Sequence, residues 1–233
     1  MRIATAQIQP APGDIARNIE QHVSWVERAT SEEVQFLLFP ELSLTGYEPE
    51  LADALVLRAD DPRLQIFSQL STSGGLTVAL SAPLRTKEGV QIALFIFQPG
   101  QEPITYAKQL LFKDEVPYFV PGDHQVMLDL QGRKLAPAIC YESMQPSHNT
   151  KALELGAELY LASTAKTQED IERSYAYFPK MAKKLNLQVL MANCIGPMAD
   201  FIGAGQSAYW NAQGELQAQL SAEEEGLLIV EAF

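Results

Sequence analysis

A chain of 233 residues with 47% hydrophobic composition is long enough to bury a sizeable core, and its length suits one large domain. A formal net charge of −12 argues against the basic face that nucleic acid or an anionic membrane surface would need, so no nucleic-acid or membrane partner is expected and the expected substrate is a small molecule. Two cysteines are too few for a disulfide framework, and in a cytoplasmic protein both thiols are expected to be reduced, which leaves chemistry or packing to explain them.

The opening "MRIATAQIQP" reads as a strand, with neither the basic start nor the apolar stretch of a signal peptide. The turn Pro12-Gly13-Asp14 then introduces a helix whose apolar stripe is Ile15, Ile19, Val23 and Val26. The strand "VQFLLF", a second helix over about Leu64 to Leu70, and the strands "LTVALSA" and "VQIALFIF" follow. A short strand at "PIT" precedes Lys108. "HQVMLDL" and "KLAPAIC" make a hairpin turning at Gln131-Gly132, where glycine supplies a positive φ. A third helix starts after Pro146, the strand "AELYLAS" follows, and a fourth helix spans about Glu169 to Leu185. That helix buries Tyr175, Phe178, Met181, Ala182 and Leu185 and turns Lys180, Lys183 and Lys184 to water. The strand "LQVLMAN", a hairpin at "GQSAYWN" turning at Gln213-Gly214, and the strand "GLLIVEA" complete the series. Hairpins beside strand-helix alternation, with no linker or repeat, predict one α/β domain over residues 1–233. So many strands rarely stay in one twisted open sheet, so two sheets packed face to face, with helices outside, are expected.

Three polar residues interrupt this apolar pattern. Glu41, in "FPELSLTGYEP", follows a buried strand; it is either a loop residue capping backbone groups or a carboxylate held in a pocket for proton transfer. Lys108, in "YAKQLL", is either a solvated loop lysine or a site cation, and Glu115 follows on the same loop. Cys140 closes the strand "KLAPAIC"; it is either a small buried hydrophobe or a nucleophile raised at a strand-turn-helix junction. All three lie at strand ends, the edge where α/β sheets build sites. Tyr47, Tyr118 and Phe119 are packing residues or walls of a substrate pocket.

In this order and at these positions the segments resemble the nitrilase superfamily, the carbon-nitrogen hydrolases, and the likeness extends over the "ATAQIQPAPGDIARNIE", "VLMANCIGP" and "GQSAYWNAQGE" segments. The resemblance implies an αββα sandwich that pairs with a second copy as a homodimer. It also implies a catalytic triad of Glu41, Lys108 and Cys140, joined by a second glutamate, Glu115, that orients the lysine. The implied reaction is cleavage of a non-peptide carbon-nitrogen bond through a Cys140 thioester, with Glu41 as base and acid. Lys108 and the backbone N–H of Tyr141 would hold the oxyanion. In "CYESMQPSH", Glu142 and Ser143 depart from the aspartate and arginine that many relatives carry, so the substrate does not follow from better-known branches.

A small amide is the expected substrate. N-carbamoyl hydrolysis, acyl transfer and nitrile hydrolysis use the same triad, and a glutaminase half of an amidotransferase or a non-catalytic binding relative are the remaining readings. No cofactor is expected, and His22, His124 and His148 are too scattered to suggest a metal site. Cys194, in "LMANCIGP", is expected to pack.

Overall fold

The computed structural model describes the chain from Met1 to Phe233. Strands β1 (Arg2–Gln7), β2 (Phe36–Leu38), β3 (Thr77–Arg85), β4 (Val90–Phe97) and β5 (Ile104–Ala107) belong to a first sheet. Strands β6 (Leu128–Leu130), β7 (Arg133–Ile139), β8 (Leu159–Thr164) and β9 (Gln188–Asn193) belong to a second. A separate ribbon, β10 (Ile195–Pro197) with β11 (Ile202–Ala204), precedes β12 (Ala208–Trp210), β13 (Leu216–Gln219) and β14 (Gly226–Glu231). The first six-stranded sheet runs β14-β1-β2-β3-β4-β5 and the second β13-β12-β9-β8-β7-β6. Each is mixed: β1, β2 and β3 are parallel, as are β7, β8 and β9, while the outer neighbours are antiparallel.

Strand periodicity explains the layers. In β1 and β2, Ile3, Phe36 and Leu38 face the second sheet and meet Leu135, Ile139, Leu159 and Leu190, whereas Ala4 and Leu37 face the outer helices. The outer faces are covered by α1 (Ile15–Ser31) and α2 (Gln65–Gly74) on one side and by α3 (Pro146–Glu154) and α4 (Gln168–Leu185) on the other. Because both faces of the inner strands are buried, they read in sequence as nearly continuous apolar runs. This is the four-layer αββα arrangement.

The helices begin where the sequence predicts. The Asp14 carboxylate accepts from Arg17 N–H to cap α1, and Thr167 caps α4 by accepting from Asp170 N–H. The hairpin turn between β6 and β7 places Gln131 and Gly132 at φ +54° and +82°. The β10–β11 ribbon was not expected: its strands of three residues, rich in glycine, carry no readable alternation. No helix is long and apolar enough to cross a membrane.

Candidate active site

Four strand ends deliver the site. After β2 the chain is pinned to the second sheet, with the Ser163 hydroxyl donating to the Phe39 carbonyl at 2.8 Å and Glu41 N–H to the Thr164 carbonyl at 3.4 Å. Glu41 is thereby held between the sheets, 1% exposed. Beyond β5, Lys108 N–H donates to the Ile92 carbonyl at 2.9 Å and extends that pairing by one residue. Gly122 N–H donates to the Lys108 carbonyl at 2.7 Å. Only glycine fits there: a Cβ on residue 122 would lie 2.5 Å from the Ala107 carbonyl oxygen.

Past β7 the backbone turns sharply. Cys140 has φ +46°, the left-handed region that a non-glycine residue seldom adopts, and a tight turn through Met144 leads into α3. This is the strand-turn-helix junction expected for a raised nucleophile, and it directs the thiol toward the Ala165 carbonyl beyond β8, at 3.8 Å. The first N–H groups of such a turn, Tyr141 among them, have no carbonyl partner within it.

The charged groups converge. Lys108 Nζ donates to Glu41 Oε1 at 2.7 Å and to Glu115 Oε1 at 2.6 Å, and the lysine is fully buried. Lys113, five residues on in the same loop, is exposed. Glu115 also accepts from the Tyr47 hydroxyl at 2.9 Å and from Phe112 N–H at 2.7 Å, so it braces both the lysine and its own loop. The second Glu41 oxygen, Oε2, is buried and makes no hydrogen bond.

Burial pushes the Glu41 carboxyl up to about 7, against the pull of the Lys108 ammonium and with a further push from Glu115. Burial works against charge on Lys108 too, but the two carboxylates outweigh it and the lysine is held above its ordinary value. Burial, followed by the Glu41 charge, pushes the Cys140 thiol up to about 12; Lys166 and then Lys108 draw it down. Desolvation outweighs the two lysines, so the resting group is a thiol. Such a site needs a base, and a carboxyl poised near neutrality with a free oxygen is suited to the task.

Glu41, Lys108, Glu115 and Cys140 are therefore gathered in one place. The proposed walls are dispersed. Tyr47 spends its hydroxyl on Glu115 and packs edge-on against Phe201 at 5.4 Å. Phe119 is buried and lines an open cavity of about 530 Å³ with Leu110, Leu111, Val116 and Tyr141, whereas Tyr118 is an exposed neighbour that does not line it. Cys194 is fully buried, and a Cβ on Gly203 would stand 2.8 Å from its sulfur.

A second buried lysine escaped the sequence reading. Lys166 is 4% exposed, makes no ion pair, and its ammonium has only the Met144 sulfur, at 3.4 Å, as a hydrogen-bond partner. A lysine in the polar stretch "ASTAKTQED" looks solvated, and no local signal marks it otherwise.

The comparisons with known proteins agree with this geometry. A NitN amidase from Nesterenkonia sp. AN1 superposes with a TM-score of 0.91 at 27% identity, over 99% of this chain and 92% of that one. A mutant of that amidase carries acrylamide joined to its active-site cysteine by Michael addition, and superposes with a TM-score of 0.90 at 26% identity. In sequence, the chain is 27% identical over 235 residues to a glutamine-dependent NAD(+) synthetase of Acinetobacter baylyi, covering 97% of this chain but 43% of the synthetase. It thus spans less than half the length of that relative. Omega-amidase YafV of Escherichia coli is 25% identical over 213 residues, which is 89% of this chain and 80% of that protein. The sequence model of the carbon-nitrogen hydrolase family matches residues 2–232, and the chain belongs to that family, within the nitrilase superfamily.

Proposed function

We propose that this carbon-nitrogen hydrolase is an amidase for small primary amides, with residues 1–233 acting as one catalytic domain. The observation that carries the reading is the buried Glu41–Lys108–Glu115 cluster, assembled from two loops beside a cysteine in a left-handed turn. Glu41 takes the thiol proton as sulfur attacks the amide carbon. Lys108 and the Tyr141 N–H stabilise the oxyanion of the tetrahedral intermediate. Glu41 then returns the proton to nitrogen, ammonia leaves, and a thioester on Cys140 is left. Glu41, again a base, activates water to hydrolyse the thioester, and the acid departs. Glu115 keeps Lys108 aimed through all of this.

The names of two relatives support a substrate class. One is named an omega-amidase and another a glutamine-dependent synthetase, so both names point to an amide at the end of a short chain. We favour such ω-amides over carbamoyl compounds and nitriles. A glutaminase role within a larger assembly is the second reading, favoured by the match of 97% of this chain to 43% of a synthetase. A homodimer in the cytoplasm completes the proposal; its mass in solution tests the first part.

The test is ammonia release from ω-amides, carbamoyl amino acids and aliphatic amides, run beside Cys140→Ala. Release from ω-amides that disappears in the variant is expected. Release that persists in the variant, or none from any amide, refutes the assignment, and turnover that needs an added synthetase selects the second reading.

A further inference from the structure

The elements that carry Lys108 and Cys140 belong to different sheets, β5 at the edge of the first and β7 within the second, and no ladder hydrogen bond sets their separation. The Glu142 side chain spans the gap at the site. Glu142, two residues past Cys140, is fully buried. Its Oε1 accepts from the Tyr106 hydroxyl at 2.6 Å and from Ile139 N–H at 2.8 Å. Its Oε2 accepts from the N–H groups of Gln109 and Leu110 at 2.7 and 3.1 Å. Ile139 directly precedes the cysteine, and Gln109 directly follows the lysine.

Four donors meeting two oxygens explain why an acid stands here. A carboxylate accepts at both oxygens, whereas an amide of the same shape would set an NH₂ against N–H or O–H groups on one side. The support behind it is consistent with that polarity. The Tyr106 hydroxyl, donating to Glu142, lies 2.8 Å from His148 Nε2, and His148 Nδ1 lies 2.6 Å from the Tyr160 hydroxyl. Burial lowers His148 to about 4, so its ring is neutral near pH 7. A neutral ring donating from Nε2 to Tyr106 and accepting at Nδ1 from Tyr160 leaves the Tyr106 proton for Glu142.

We propose that Glu142 is a positioning residue, a clamp that sets the distance between the lysine loop and the cysteine turn by holding the backbone just before Cys140 and just after Lys108. The proposal rests on the roles given above to Lys108 and Cys140. The clamp acts on geometry needed in the transition state, so its loss falls on kcat and not on substrate binding.

The experiment measures kcat and KM per folded molecule, with the folded fraction taken from circular dichroism, for Glu142→Gln, Glu142→Asp and Tyr106→Phe. A misplacement of the order of 1 Å costs about 100-fold, which is the expected fall in kcat for Glu142→Gln. KM should stay within about threefold, and Glu142→Asp, an acceptor at both oxygens, should recover part of the loss although it is shorter. Tyr106→Phe removes one of the four donors to Glu142, together with the hydroxyl's contacts to His148 and Gln109, and should lower kcat by less. A Glu142→Gln enzyme with wild-type kcat per folded molecule, or Glu142→Asp as impaired as Glu142→Gln, overturns the clamp. If Glu142→Gln does not fold, Tyr106→Phe decides alone: a lower kcat at constant KM supports the proposal, and an unchanged kcat overturns it. Turnover that survives in Cys140→Ala would instead remove the underlying assignment of the site.

Discussion

Replacing Lys108 by methionine tests the electrostatics of the site more sharply than loss of activity alone. Its ammonium holds one oxygen of Glu41 at 2.7 Å and one of Glu115 at 2.6 Å, so the two carboxylates face each other across a single nitrogen. Methionine fills similar space without charge. Two negative charges about 5 Å apart, at an effective dielectric constant of about 20, repel by about 3 kcal/mol. That repulsion alone lifts the Glu41 carboxyl by about 2 pH units, and loss of the lysine's attraction lifts it further. The assay is the rate of Cys140 alkylation by iodoacetamide as a function of pH, a reaction that needs a base but no oxyanion. In the wild type the rate should climb with pH and inflect near the value of about 7 to which Glu41 is pushed. In Lys108→Met the inflection should move up by about 2 pH units or more, with the variant folded by circular dichroism. An inflection that stays in place would show that Glu41 is not the base whose ionisation controls the thiol. Because two groups share the proton, the curve should report a coupled pair.

Three other outcomes follow from the same geometry. At pH 7, brief alkylation followed by peptide mapping should modify Cys140 well ahead of Cys194, which is fully buried and whose thiol burial raises; equal or faster labelling of Cys194 would count against the nucleophile assignment. Glu41→Gln should melt higher than the wild type at pH 8. A carboxyl raised to about 7 by burial makes the folded state less stable as pH rises from its ordinary value through 7, so the gain should vanish below pH 4. Gly122→Ala should lower kcat without touching any charged group, because the new methyl presses on the Ala107 carbonyl beside Lys108; an unchanged kcat would mean that the loop yields freely.

Much of the layering was legible because both faces of the inner strands are buried, so their apolar runs could be read without tertiary information. Helix starts were legible from local chemistry, as at Asp14 and Thr167. The site was legible only in part. Glu41, Lys108 and Cys140 could be placed at strand ends, but each had a bland reading of its own, and only a likeness to a known family joined them. Their contact is made by chain crossings far apart in sequence. Lys166 shows the limit: a charged residue reads as solvated until packing encloses it.

The left-handed backbone at Cys140 carries an evolutionary consequence. Holding a side chain with a Cβ in that conformation costs about 1 kcal/mol, a penalty that glycine escapes and asparagine partly avoids. A lineage that kept this scaffold only for binding would gain stability from either substitution at no cost to the sheets, and drift should find them. Under the proposed mechanism, cysteine occupies a position where the backbone itself favours its loss because its sulfur is the nucleophile.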